Sequence, residues 1–141
     1  MGPRFLFVCI GNICRSPMAE GIARAIIGNG VRAESAGIAA VPGNPPSEEA
    51  VRVIRAIHRT DISRHRARTL DGIRASDYDF IIALDCLVYN RIKDTGSVPA
   101  EKLFGWDIED PIGLGLEAYE RAARRIESRL RDFAAGHGIE I

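Results

Sequence analysis

Between an apolar run and a proline the chain reads VCIGNICRSP (residues 8–17), which gathers two thiols, a guanidinium, a hydroxyl, a glycine and an asparagine into ten positions. Those residue types suit the binding and attack of a tetrahedral anion. Gly11 tolerates backbone angles closed to other residues, and Asn12 is among the few that often enter the left-handed region, so the chain can curl tightly here. Ser16 followed by Pro17 signals a helix cap and first turn. A curled row of amides opening into a helix N-terminus is a cradle for a phosphate-like group, and Arg15 adds a planar fork for two of its oxygens. Cys9 supplies the nucleophile, because beside a helix N-terminus and an arginine a thiol pKa falls from about 8.5 to roughly 3.5–7.5. Attack on phosphorus would give a cysteinyl-phosphate, with the Ser16 hydroxyl stabilising the sulfur when it leaves in the second step.

Each residue also has an ordinary reading. A cysteine ending a strand is commonly a small buried hydrophobe, and Gly-Asn is commonly a turn. Zinc would need a second Cys/His pair at ligand spacing, and a nucleotide loop would need a Gly-Lys-Ser/Thr ending; the sequence has neither. Asp110 is the candidate acid and base for protonating a leaving oxygen and then activating water. Pro111 disfavours the helical region for Asp110 and fits an extended loop, although EDPIG also reads as an acidic turn. Asp107 and Glu109 are its neighbours and read as solvated. Asp85, at the end of an apolar run, is either a functional carboxylate or a helix N-cap.

The elements that must position these groups follow from periodicity. RFLFVC (4–9) and YDFIIAL (78–84) are short β-rich runs suited to strands buried on both faces, and VRAESAG (31–37) and EKLFGW (101–106) are weaker strand candidates. Helical spacing marks 17–27, 47–58 with Ser47 as N-cap, and 116–133, where Leu116, Tyr119, Ala123, Ile126, Leu130 and Phe133 share a face. TLDGIRAS (69–76) reads as a short helix. Strands alternating with helices predict an α/β fold in one domain over residues 1–141. Its expected form is an open twisted parallel four-stranded sheet with helices on both faces, a flavodoxin-like three-layer sandwich. Ligands of such sheets bind beyond the carboxyl ends of the strands, where the loop after the first strand lies.

Composition narrows the partners. With 141 residues, 19 basic against 19 acidic side chains and 46% hydrophobic content, nothing in the global field calls for nucleic acid or a membrane surface. The apolar opening is too short for a span and lacks a secretory cleavage pattern, so a cytoplasmic location is expected. Three cysteines in a chain this size read as reduced thiols rather than a disulfide framework.

Taken together, strand, Cys9, five residues, Arg15, Ser16 and helix resemble the loop of cysteine-dependent phosphatases. More narrowly, VCIGNICRSPMAEG resembles the start of the low-molecular-weight protein tyrosine phosphatase family, with SAG (35–37), HRAR (65–68), LD (84–85) and DP (110–111) in the family's order over nearly the whole chain. The resemblance implies Cys9 as nucleophile, Arg15 as phosphate clamp and Asp110 as general acid and base. It implies a loop built from Ile10, Gly11, Asn12, Ile13, Cys14 and Ser16, with Asn12, Ser16, Ser35 and His65 holding its strained shape. His65 otherwise reads as part of a solvated basic run. The implied partner is a phosphorylated protein, phosphotyrosine foremost, with inorganic phosphate or similar oxyanions as inhibitors and neither metal nor other cofactor. Cys14 would capture an oxidised Cys9 as a reversible disulfide, while Cys86 reads as structural.

Some positions depart from the family pattern. Ile112 stands where tyrosine-directed members usually carry an aromatic at the substrate edge, the loop around Val41 lacks an aromatic, and Val88 replaces an asparagine. Ile10 is the bulky residue typical of tyrosine-directed members, whereas phosphoarginine-directed relatives tend to have threonine. Protein-arginine phosphatase is therefore one alternative. Arsenate reductase is another, but its relay uses two further cysteines in a segment where this chain has only Cys86. A non-catalytic anion-binding module is the third.

Overall fold

The period of two along the first strand builds two cores. In the computed structural model, which describes residues 2–141, Phe5, Phe7 and Cys9 of β1 (Arg4–Cys9) join one buried cluster with Met18, Ile22, Ile54, Ile126 and Leu130. Leu6 and Val8 join a second cluster with Ile81, Val88 and Ile92. Each wholly buried side chain of this kind contributes about 1.5–3 kcal/mol, so burial on both faces dominates what holds the sheet. Strand β1 pairs in parallel with β2 (Arg32–Gly37) and with β3 (Phe80–Ala83), and β4 (Leu103–Gly105) lies beyond β3. The order is β2-β1-β3-β4 in a four-stranded sheet.

Helices α1 (Arg15–Ile26), α2 (Glu48–His58) and α4 (Leu116–Gly136) cover the first face, and α3 (Cys86–Thr95) covers the second. The expected three-layer α/β sandwich is the one observed. The chain leaves β1 for β2 and crosses back to β3, so the strand order reverses at β1. The crevice beyond the carboxyl ends of β1 and β3 is therefore the switch point of the sheet. Strand β1 delivers Cys9 to that point directly opposite Gly37 of β2.

Three expectations are corrected. Helix α1 starts at Arg15 with Cys14 in the cap position, so Ser16 and Pro17 lie inside its first turn rather than at its cap; proline is tolerated there because first-turn amides lack helical partners anyway. The 69–76 segment is not a helix. Thr69 bridges Gly37 in parallel, Gly72 turns the chain with φ of 78°, and only a 3₁₀ turn at Ala75–Asp77 follows. Helix α3 has no counterpart among the predicted helices, because its short stretch buries only Val88 and Ile92 and is rich in residues of weak helix propensity.

A close backbone approach ties the sheet to the loop after β1. A Cβ on Gly37 would stand 2.6 Å from the Ile10 carbonyl oxygen and 3.0 Å from the Asn12 nitrogen, both of them main chain. Gly37→Ala should therefore lower the unfolding free energy by about 1–3 kcal/mol, read as a shift of the urea midpoint, and weaken inorganic phosphate binding measured by calorimetry. An unchanged midpoint and affinity would show that the loop does not depend on this contact.

Candidate active site

Residues 9–16 curl around the sulfur of Cys9. Asn12 takes the left-handed conformation, with φ of 57°, and its N–H donates to Cys9 Sγ at 3.3 Å. Gly11, credited above with the turn, is not among the positive-φ residues described, so the curl rests on Asn12. Ser16 Oγ is 2.9 Å from the same sulfur. Its hydroxyl is used here rather than as a helix cap. Helix α1 has no side-chain cap, unlike α2, capped by Ser47, and α3, capped by Asp85. Cys9 is buried, but its sulfur meets polar donors instead of only aliphatic neighbours.

The shape of the loop is held from behind by a buried polar network. Asn12 Nδ2 donates to Ser16 Oγ and to Ser35 Oγ, each at 2.8 Å, and Asn12 Oδ1 accepts the Arg68 N–H at 2.9 Å. His65 Nε2 lies 2.7 Å from the Asn12 carbonyl oxygen. Ser35 in turn donates to the Glu20 carboxylate, which also pairs with Arg24 at 2.9 Å and approaches His65 Nδ1 at 3.9 Å. The structure thus brings Asn12, Ser16, Ser35 and His65 together as expected. It adds Glu20 and Arg68, which sequence reasoning missed. The signal for Glu20 was present, since it is a carboxylate inside the otherwise apolar run of α1 and one turn beyond Ser16.

Arg15 is 2% exposed, and its Nη1 donates to Asp85 Oδ2 at 2.7 Å and to the Ile108 carbonyl at 2.8 Å. Asp85 fills both of its possible roles, because its other oxygen accepts the Val88 N–H at 2.8 Å as the N-cap of α3. Asp110 is the carboxylate that faces this assembly: its Oδ2 is 3.8 Å from Arg15 Nη2, and its side chain is 44% exposed. The neighbouring carboxylates turn to α4 instead. Asp107 accepts from Arg125 at 2.9 Å through both oxygens, which holds its carboxyl below the usual range, and Glu109 pairs with Arg121 at 3.7 Å.

Ile10, Gly11 and Ile13 are half-buried along the loop, and Ile112 is exposed just after Asp110, donating its N–H to Asp110 Oδ1 at 3.2 Å. Cys14 is buried, with its sulfur 3.3 Å from the Tyr119 hydroxyl and 3.5 Å from Ser47 Oγ. Burial pushes its thiol pKa up, and the bonds from Tyr119 and Ser47 work against that rise. Cys86 is exposed on the first turn of α3 and is not a buried structural residue. His58 and His137 lie outside the loop's network; His58 Nε2 meets Glu127 at 2.8 Å, and His137 stacks on Phe133. The whole arrangement can hold a tetrahedral oxyanion above a sulfur, with a carboxyl group at the edge.

A parallel α/β sheet carrying a thiol-arginine anion loop at its switch point defines the class of cysteine-dependent phosphate-binding proteins. Within it, residues 4–137 match the family model of the low molecular weight phosphotyrosine protein phosphatases, and the chain belongs to that family. A probable low molecular weight protein-tyrosine-phosphatase, EpsP, of Ralstonia nicotianae is 42% identical over 86% of this chain and 87% of its own. The low molecular weight protein tyrosine phosphatase of T. tengcongensis superposes with a TM-score of 0.87 at 34% identity, over 96% of this chain and 99% of that one. An arsenate reductase of Staphylococcus xylosus is 32% identical over 90% of this chain and 92% of its own.

Asn12 contributes a backbone angle and a side-chain network, and two substitutions separate them. Asn12→Gly keeps the angle and loses the network, whereas Asn12→Ala loses both. Urea unfolding should rank wild type above Asn12→Gly and Asn12→Gly above Asn12→Ala, the last by about 1–2 kcal/mol. Equal stabilities for the two variants would show that the left-handed turn costs nothing.

Proposed function

We propose that Cys9, Arg15 and Asp110 hydrolyse phosphate monoesters on protein side chains, phosphotyrosine foremost. The observation that carries this reading is the pair of polar contacts on the Cys9 sulfur, Ser16 Oγ at 2.9 Å and the donating Asn12 N–H at 3.3 Å, beside a buried and anchored Arg15. Donors aimed at sulfur stabilise its negative charge, and the uncapped amides of α1 attract the phosphate to the same place. Substrate oxygens lie against the loop amides and Arg15, and the sulfur attacks phosphorus opposite the leaving oxygen. Asp110, as the acid, gives that oxygen its proton as the P–O bond breaks. The resulting carboxylate takes a proton from water as it attacks the cysteinyl-phosphate, and the sulfur departs toward the Ser16 hydroxyl with inorganic phosphate released. Every step uses side chains and water.

Phosphotyrosine is favoured by Ile10 and by the relatives' stated activity. The aliphatic Ile112 beside Asp110 favours the second reading, phosphoarginine, because it offers no ring for stacking. Arsenate reduction is disfavoured by the disposition of the other sulfurs, Cys14 buried against Tyr119 and Cys86 exposed on α3. Among the described residues no helix is long and apolar enough to cross a membrane.

Cys9→Ser should abolish turnover of an aryl phosphate in the presence of a chelator while phosphate still binds. Asp110→Asn should lower kcat by about 10²–10⁴ for a poor leaving group and far less for an activated one. Equal losses for both leaving groups would remove Asp110 from the acid role. Parallel assays on phosphotyrosine and phosphoarginine peptides decide between the two substrates.

A further inference from the structure

Among the described residues, five large apolar side chains stand out into solvent, and four of them lie at the carboxyl end of the sheet: Val41, Leu87, Ile112 and Leu114, at 61, 50, 53 and 60% exposure. Isolated exposed apolar residues are ordinary, whereas several gathered at one place from separate segments mark a surface that meets a partner. Val41 comes from the segment after β2, Leu87 from the first turn of α3 after β3, and Ile112 and Leu114 from the segment after β4, while the phosphate-binding loop follows β1.

Each segment is bonded to the anion site. The Val41 loop rests on residues 9–13 through the Ile38 N–H to the Cys9 carbonyl at 3.0 Å, Ala39 to Ile10 at 2.9 Å and Ser47 to Ile13 at 2.8 Å. Leu87 stands two positions after Asp85, the anchor of Arg15. Leu114 is fixed to Pro111 by an N–H bond of 3.0 Å, immediately after Asp110. The segments that carry the apolar groups therefore adjoin the bowl. A side chain whose phosphate enters the bowl brings its flanking residues to these segments. All four are aliphatic, so the border gains by displacing water from other apolar groups and not by stacking on rings.

We propose that Val41, Leu87, Ile112 and Leu114 form a collar that recognises the polypeptide around the phosphorylated residue and selects segments with aliphatic side chains on both sides of it. The inference rests on the phosphatase reading of the bowl and adds the class of substrate segment. Four measurements test it together. The protein is given 4-nitrophenyl phosphate and three phosphotyrosine peptides of equal length, flanked by leucine and valine, by serine and glutamine, or by glutamate.

The aliphatic peptide is expected to exceed the serine-glutamine peptide by about tenfold in kcat/KM, the effect of one partly buried leucine, and the glutamate peptide by more. A Leu87→Ser/Leu114→Ser double variant, at two exposed positions, should lose most of that ratio while keeping the thermal midpoint of the wild type. Turnover of 4-nitrophenyl phosphate with equal or undetectable rates on all three peptides overturns the collar and leaves the phosphatase reading standing. No turnover of 4-nitrophenyl phosphate overturns both. A concentration-dependent dimer in sedimentation that the double variant abolishes, with no flank preference, assigns these side chains to self-association and overturns the collar as well.

Discussion

The structure depends on bending residues 9–16 around one sulfur, with the Asn12 N–H and the Ser16 hydroxyl beside it. In the function proposed above, a nucleophilic sulfur and an anionic substrate must share the same few ångströms, which a helix N-terminus and one guanidinium would favour. The bend is concentrated in Asn12, whose left-handed backbone costs about 1–2 kcal/mol for a residue with a side chain. The Asn12 amide group offsets that cost by bonding Ser16, Ser35 and the Arg68 main chain, each bond worth about 1 kcal/mol. Asparagine serves where glycine would leave the loop floppy. Glycine is needed instead across the way at Gly37, where the strand end must come within contact of the loop's main chain.

A buried guanidinium is the second constraint. A charge held 2% exposed needs compensation, and Arg15 receives it from the Asp85 carboxylate and the Ile108 carbonyl. Asp85 is itself fixed because its other oxygen caps α3. The clamp is thereby oriented by a helix on the opposite face of the sheet from α1, so both layers contribute to one site. Breaking this pair would strand a buried cation, which is more costly than the pair is stabilising. The same geometry explains why Asp110, its side chain less than half exposed, lies beside Arg15 while Asp107 and Glu109 are drawn to the arginines of α4.

The strands, three of the helices and the loop were legible in the sequence because their signals are local. Alternation marked β1, spacing marked α4, and Ser47 announced α2 by the bond it makes to the Ala50 N–H. What was not legible depends on contacts between distant segments. Helix α3 buries too few residues to show a period, and the 69–76 segment has helix-like composition but is captured by the Thr69 bridge to Gly37. Glu20 and Arg68 act through residues 15 and 56 positions away, and no window along the chain would have joined them to Ser35 and Asn12. Ser16 was legible in its contact with the Cys9 sulfur and misplaced only along the helix, since α1 begins at Arg15 and takes Cys14 at its cap position.

The three thiols show how far environment, rather than residue type, decides chemistry here. Cys9 and Cys14 are both buried in one loop, yet Cys9 meets an amide and a serine hydroxyl poised for an anion, whereas Cys14 is enclosed by Tyr119 and Ser47 from α4 and the cap of α2. Burial and the proximity of Cys9 both raise the Cys14 pKa, and burial also raises that of Tyr119. The pair therefore stays protonated at neutral pH and adds no negative charge to the bowl. A thiolate at Cys14 would repel a phosphate group entering the loop. Tyr119, a core residue by its spacing on α4, thus acts on Cys14 in two opposed ways, helping to enclose the thiol while its hydrogen bond works against the rise that burial causes.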